Sequence, residues 1–396
     1  MGAGKADEAE AVMATAHSTP ETSESDQDIT SSSFPEGGKE AWLVVLGAWG
    51  AMVSCMGLLN TLAVLQAWVS EHQLRNVSES NIGWIFSTYG FFLYFCGAQI
   101  GPIFDAHDIK VLIIPSSIGM VASIMAIFSE FYHFLHSFGV LGGISASLLF
   151  YPSVSAIGHW FSRRRSLATG ISFTAGGLGG NGLGCLLLKK RLPPNKAKGS
   201  SIDLKALGDL RYAVVTLAIF LVEFSVFIPY TFISSYAISK GMDPQRAYLL
   251  NTLLNVGALP GRVLPGYVAD KIGVFNVMVG TAFACTASIL GLWLPIRSEA
   301  AITASTILFG FWSGAAIALS PVCIGQVCHV EDYGKKTGTT FFIASFGALL
   351  GVPIAGAILQ ASGGDYRGLI ILAGASCGAT ALAFIWARQL ILSKPV

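Results

Sequence analysis

Two ionisable residues stand inside runs that are otherwise apolar. Glu223 lies in Ala218-Ile-Phe-Leu-Val-Glu-Phe-Ser-Val226, and Arg262 follows a stretch of apolar and small residues in Gly261-Arg-Val-Leu-Pro265. An ionisable group at membrane depth is unfavourable and usually faces a cavity, a partner or a proton path. A guanidinium there could hold a carboxylate through its bidentate fork, and a carboxyl there could carry a proton. The plainer readings are that Arg262 snorkels to the interface or pairs with Asp270, and that Glu223 is a neutral acid hydrogen-bonded to a neighbouring helix. The uncharged amides Asn60, Gln66, Gln99, Asn251 and Asn255 could line a substrate path or bond across helices. Asn60 and Asn255 are the better substrate candidates.

A second pattern is a repeat. Gly101-Pro-Ile-Phe-Asp105 is followed by Lys110, and Gly266-Tyr-Val-Ala-Asp270 by Lys271. Each gives glycine, three residues, aspartate and then a cation in a short turn between apolar runs. Glycine permits close helix approach, and a terminal carboxylate can pair with a cation or a helix N-terminus. Two copies in equivalent places imply duplicated halves, as in many secondary transporters. Asp105 and Asp270 read as conformational-switch residues. Arg163, Arg164 and Arg165 follow Trp160-Phe161; they would hold that loop in the cytosol and could form a gating pair with Asp105.

These residues must be positioned by membrane helices. Of 396 residues 53% are hydrophobic and 12% charged, against about a quarter charged in a soluble chain. Apolar segments fall near 42–66, 82–103, 111–129, 134–158, 168–188, 212–238, 247–265, 275–294, 300–325, 338–361 and 367–388, each about the length that crosses roughly 30 Å of hydrocarbon. No two-residue alternation supports a barrel. Residues 1–40 read as a disordered cytosolic tail, 41–188 as an N-terminal helical bundle, 189–211 as a basic cytosolic loop and 212–390 as a six-helix C-terminal bundle. Eleven spans leave a contradiction. Counting from a cytosolic tail puts the basic loop (Lys189, Lys190, Arg191, Lys196, Lys198, Lys205, Arg211) outside, against the positive-inside rule. A shortened fifth span and a missing sixth near 170–190 are expected.

Several classes drop out. Net charge of +1 offers nothing to nucleic acid. The seven cysteines show no disulfide ladder or zinc spacing, and His133-x-x-His136 at a span edge reads as interfacial rather than metal-binding. Gly177-Leu-Gly-Gly-Asn-Gly182 matches a dinucleotide fingerprint without the strand that motif needs. Asn76-Val-Ser78 is a glycosylation sequon. No nucleophile–base arrangement suggests an enzyme, and no cofactor is implied.

Three stretches carry a resemblance: Pro35-Glu-Gly-Gly-Lys-Glu-Ala-Trp42, Trp160-Phe-Ser-Arg-Arg-Arg-Ser-Leu-Ala-Thr-Gly170, and Gly261-Arg-Val-Leu-Pro-Gly-Tyr-Val-Ala-Asp270. They are similar to the monocarboxylate-porter family of the major facilitator superfamily, in particular its fungal branch. The resemblance implies an all-α fold of two pseudo-symmetric six-helix bundles, with alternating access about a central site. Its substrates would be small organic anions or secondary metabolites, often moved with a proton, by a multi-pass protein of the plasma membrane. In the family's animal members a first-span lysine binds substrate; this region offers Asn60 instead. The usual acidic partner one turn before Arg262 is Ala258, which weakens the case for lactate-type proton symport. The competing expectation is a non-transporting sensor or a degenerate carrier.

Overall fold

Without water to bond it, a backbone in hydrocarbon must close its own hydrogen bonds, and the computed structural model of this chain does so with helices. The structure describes residues 35–75, 79–126, 130–175, 187–189, 191, 203–295 and 298–393. Among the described residues twelve helices carry the architecture: α1 (Lys39–His72), α2 (Glu79–Phe95), α3 (Gly97–Ala106), α4 (Lys110–Met125), α5 (Phe131–Trp160), α6 (Arg165–Phe173), α7 (Leu210–Ser239), α8 (Pro244–Ile272), α9 (Val274–Trp293), α10 (Glu299–Gly325), α11 (Tyr333–Ala361) and α12 (Arg367–Ser393). Helices α2 and α3 are joined at Cys96, so they read as one rod. Among the described residues seven helices are long and apolar enough to cross a membrane. Prolines sit inside α3, α4, α5, α7, α8, α10 and α11, a pattern tolerated where neighbouring helices satisfy the freed groups.

In the first half α1, α2 and α4 pack on α5; in the second α8 packs on α10, α7 on α11 and α12, and α9 on α12. The halves meet where α11 lies along α2 and α3, and where α6 lies against α8 and α10. Residues 36–396 form one compact unit. Small residues permit these crossings. A Cβ on Gly170 of α6 would strike the Arg262 carbonyl oxygen of α8, and one on Gly338 of α11 would strike that of Gly97 on α3.

The fifth apolar stretch, 168–188, is described in part. Its helix, α6, has nine residues, a rise of about 13 Å that cannot cross roughly 30 Å. The chain reappears at Leu187–Lys189 at the end where α6 began: the Lys189 carbonyl accepts from Trp160 Nε1 at 3.1 Å and Arg191 donates to the His159 carbonyl. The described ends of the segment, the start of α6 and Leu187–Lys189, therefore lie at one end of the molecule. Both Gly-x-x-x-Asp turns and the described part of the basic loop share one end. The described helix is shorter than the apolar stretch, as the expectation of a shortened fifth span had it. The glycine-rich core 176–186, Lys190, residues 192–202 and the tail 1–34 lie outside the described residues.

Cysteines placed singly at the exposed positions Lys110 and Lys189 test this arrangement. Both should react with a membrane-impermeant thiol reagent from the same face of sealed vesicles. Labelling from opposite faces would restore a full crossing between them.

Candidate functional site

At the basic end each half closes on the other through a carboxylate set at a helix N-terminus. Asp105, at the end of α3, accepts from the Lys335 backbone N–H at 2.7 Å, in the first turn of α11. Asp270, at the end of α8, accepts from the N–H groups of Ser166 and Leu167, both at 3.0 Å, in the first turn of α6. The first amides of a helix have no intrahelical partner and carry its positive dipole end, so a carboxylate there is favourable by charge and by hydrogen bond. The two Gly-x-x-x-Asp turns thus perform the same task in opposite directions across the interface. Glu36 adds a third such carboxylate, accepting from Ser162, Arg163 and Arg164 N–H groups at 3.0, 2.8 and 3.3 Å.

Arg165 is buried and donates to three carbonyls. Nε reaches Phe161 and Nη2 Gly158, both on the end of α5, while Nη1 reaches Gly325 on the end of α10. Its guanidinium also lies 5.3 Å from the Tyr333 ring, a favourable cation–π geometry. One arginine therefore caps two helix C-termini from different halves. Arg163 and Arg164 are exposed.

Deep between the halves lie Glu223 on α7 and Arg262 on α8, with 1% and 3% of their surface exposed. Arg262 Nη1 donates to the Phe173 carbonyl, the last residue of α6, at 2.6 Å, and its Nε has no hydrogen-bond partner. Helix α6 is consequently held at both ends by α8: Asp270 at its N-terminus, Arg262 at its C-terminus. The eight helical steps from Arg262 to Asp270 rise about 12 Å, close to the length of α6. The partial negative charge of the α6 C-terminus thus faces the Arg262 guanidinium, while Ala258, one turn earlier, packs against Gly314 of α10. Neither carboxyl oxygen of Glu223 has a well-formed hydrogen bond. Tyr94 lies within electrostatic range of both Glu223 and Arg262, and Tyr230 of Arg262. Around them Tyr94 stacks on Phe341 at 5.5 Å, and the Tyr151 hydroxyl donates to the Tyr94 carbonyl at 2.9 Å. A buried cation and a buried carboxyl with uncommitted polar atoms, between aromatic faces, can bind an anion and exchange a proton.

The structure brings Arg262 and Glu223 into one central region and Asp105, Asp270 and Arg165 to one end. Asn255 is half-buried and spends its amide nitrogen on the Asn251 carbonyl at 3.0 Å; its side-chain oxygen is buried without a partner. Asn60 is half-buried on α1. Asn76 lies outside the described residues. Glu36 and Tyr94 were not singled out as site residues, although Glu36 opens a recognised motif.

The chain matches the Major Facilitator Superfamily over residues 47–189 and 199–394. It is 31% identical to the riboflavin transporter MCH5 of Saccharomyces cerevisiae, over 94% of this chain and 82% of that one. It is 32% identical to the aspyridones efflux protein apdF of Emericella nidulans, over 89% and 78%. That second alignment runs over 384 positions while taking in about 352 residues of this chain, so roughly 30 positions have no counterpart here. A shortfall of that size is one to two membrane helices. Among solved structures, the human organic anion transporter MFSD10 superposes with a TM-score of 0.70 at 14% identity, over 88% of this chain and all of that one, which shows the fold. This chain belongs to the major facilitator superfamily.

Replacing Asp105 or Asp270 by Ala should each lower stability by about 1–2 kcal/mol, the usual effect of losing a helix-capping side chain. Thermal unfolding of the purified protein reads this out. Variants that melt with the unchanged protein would show that the caps hold nothing.

Proposed function

We propose that this member of the major facilitator superfamily is a secondary carrier for a small organic anion, working by alternating access. The observation that carries the reading is the Arg262 guanidinium, buried between the halves with hydrogen-bonding capacity left over. A carboxylate arriving there would meet a charge already desolvated and oriented by the Phe173 carbonyl. Glu223 would take up the proton that accompanies the anion, with Tyr94 between the two groups. Asn60 and Asn255 would contribute polar contacts to the substrate path. Asp105 and Asp270 would be the latches of one closed end, and Arg163, Arg164 and Arg165 would hold that end in the cytosol by the positive-inside rule.

The finer assignment is a monocarboxylate-porter type carrier of the fungal branch, at the plasma membrane, exporting a secondary metabolite or importing a carboxylate. Its two bundles would span 41–188 and 212–390, joined by the basic cytosolic loop 189–211. The relatives' names, one a riboflavin transporter and one an efflux protein, fit a carrier of organic metabolites. A second reading, a sensor or degenerate carrier that does not transport, is favoured by one observation: α6 is a nine-residue half-helix. A complementary-DNA read across codons 170–200 returning about 35–45 additional apolar residues, roughly two helix lengths, would remove its basis.

Proteoliposomes loaded with a panel of monocarboxylates and with riboflavin, under an imposed proton gradient, test the proposal. Arg262→Gln should reduce flux at least about tenfold, the loss expected for one charge-assisted hydrogen bond, and Arg262→Lys should recover only part of it. Glu223→Gln should abolish gradient-driven accumulation while leaving anion exchange. Flux insensitive to both replacements would refute these roles, and no flux of any member of the panel would favour the second reading.

A further inference from the structure

The basic end holds an open cavity of about 400 Å³, lined by the turn before α6, the α8–α9 turn and the ends of α10 and α12. Two guanidiniums line it from opposite sides, Arg163 and Arg388, and both are exposed. Among the described residues neither is joined in an ion pair. Asp270 also lines the cavity and Glu36 is near it. Their carboxylates are committed to backbone amides, Asp270 to Ser166 and Leu167, Glu36 to the amides of residues 162–164. The carboxylates keep their charge but have spent hydrogen bonds on amides, whereas among the described residues the two arginines have no side-chain partner and are the donors left facing the space. The Gln326 side chain lines the same wall.

The rest of the lining is apolar. Ile391 and Leu392 of α12 and Ile272 of α8 contribute to it, and Leu392 and Ile272 are 67% and 55% exposed. A site polar on one side and apolar on the other, at the boundary of the hydrocarbon, suits a ligand built the same way.

We propose that this cavity binds a phosphate-bearing anion between Arg163 and Arg388, its occupant being the headgroup of an anionic phospholipid whose chains run down the exposed faces of Ile272 and Leu392. Guanidinium forks match phosphate oxygens bidentately, and basic side chains near an anionic membrane surface gain further from its potential. The headgroup lies against the Asp270–Ser166 contact, so occupancy holds that end shut. This site is separate from the central region of Arg262 and Glu223, and the proposal does not depend on what the protein carries.

The full chain in phosphatidylcholine nanodiscs, titrated with phosphatidic acid and followed by its thermal midpoint, tests the site. The midpoint should rise with phosphatidic acid. Arg163→Gln/Arg388→Gln should shift the titration about thirtyfold to higher lipid fraction, the expectation for losing two basic contacts at an anionic surface. Arg246→Gln/Arg367→Gln, which removes equal charge at the opposite end, should titrate like the unchanged protein. In a second arm inorganic phosphate is added to phosphatidylcholine nanodiscs. A rise there, lost in Arg163→Gln/Arg388→Gln, would keep the anion site but assign it to soluble phosphate. No rise in either arm, or a rise that the Arg163/Arg388 variant retains in full, overturns the proposal.

Discussion

The first amides of a helix begin without intrahelical partners, and in this chain that deficit ties one half of the molecule to the other. Asp105 completes the first turn of α11, and Asp270 completes the first turn of α6. Each bond is made across the interface between halves. Each can be broken only by exposing a carboxylate and a helix N-terminus together, a loss of both hydrogen bonding and dipole stabilisation. Arg165 supplies the complementary chemistry at helix C-termini, joining the ends of α5 and α10 through their carbonyls. A closed end built from few, replaceable backbone contacts can be stable and still open, because water can take over the same amides and carbonyls.

The short helix α6 links this end to the centre. A nine-residue helix is below the length that is stable by itself in water, and α6 persists because α8 grips it twice. Gly170 lets the two backbones touch, Asp270 holds the N-terminus, and Arg262 holds the last carbonyl. On the proposed reading a substrate carboxylate, carrying a full charge, competes with that carbonyl for Arg262. Relaxing the α6 tip would then loosen the helix whose other end Asp270 latches. On that reading the short α6 would also supply a direct physical connection between Arg262 and Asp270, which bond its two ends.

Much of the fold could be read from the chain because the membrane imposes so few options. Apolar runs of one length give helices, the paired Gly-x-x-x-Asp turns disclose duplication, and lone charges in apolar runs pick out Glu223 and Arg262. The partners of those charges were not legible. Glu36 meets Arg163 from 127 residues away, and Arg262 bonds a backbone carbonyl, which has no sequence signature. Hydropathy also measures how apolar a stretch is without saying where it turns, so 168–188 read as a span although its helix stops at Phe173. The conflict in loop charge drew attention to the same segment, since the positive-inside rule is sensitive to parity where hydropathy is not.

The central claim is that Asp105 and Asp270 hold the basic end shut across the halves. Spin labels at His107, after α3, and His329, before α11, would report the distance between the halves at that end by pulsed electron resonance. The account predicts one narrow, short distribution for the unchanged protein and a second, longer population when both aspartates are replaced by Asn. A distribution unchanged by the double replacement would contradict it.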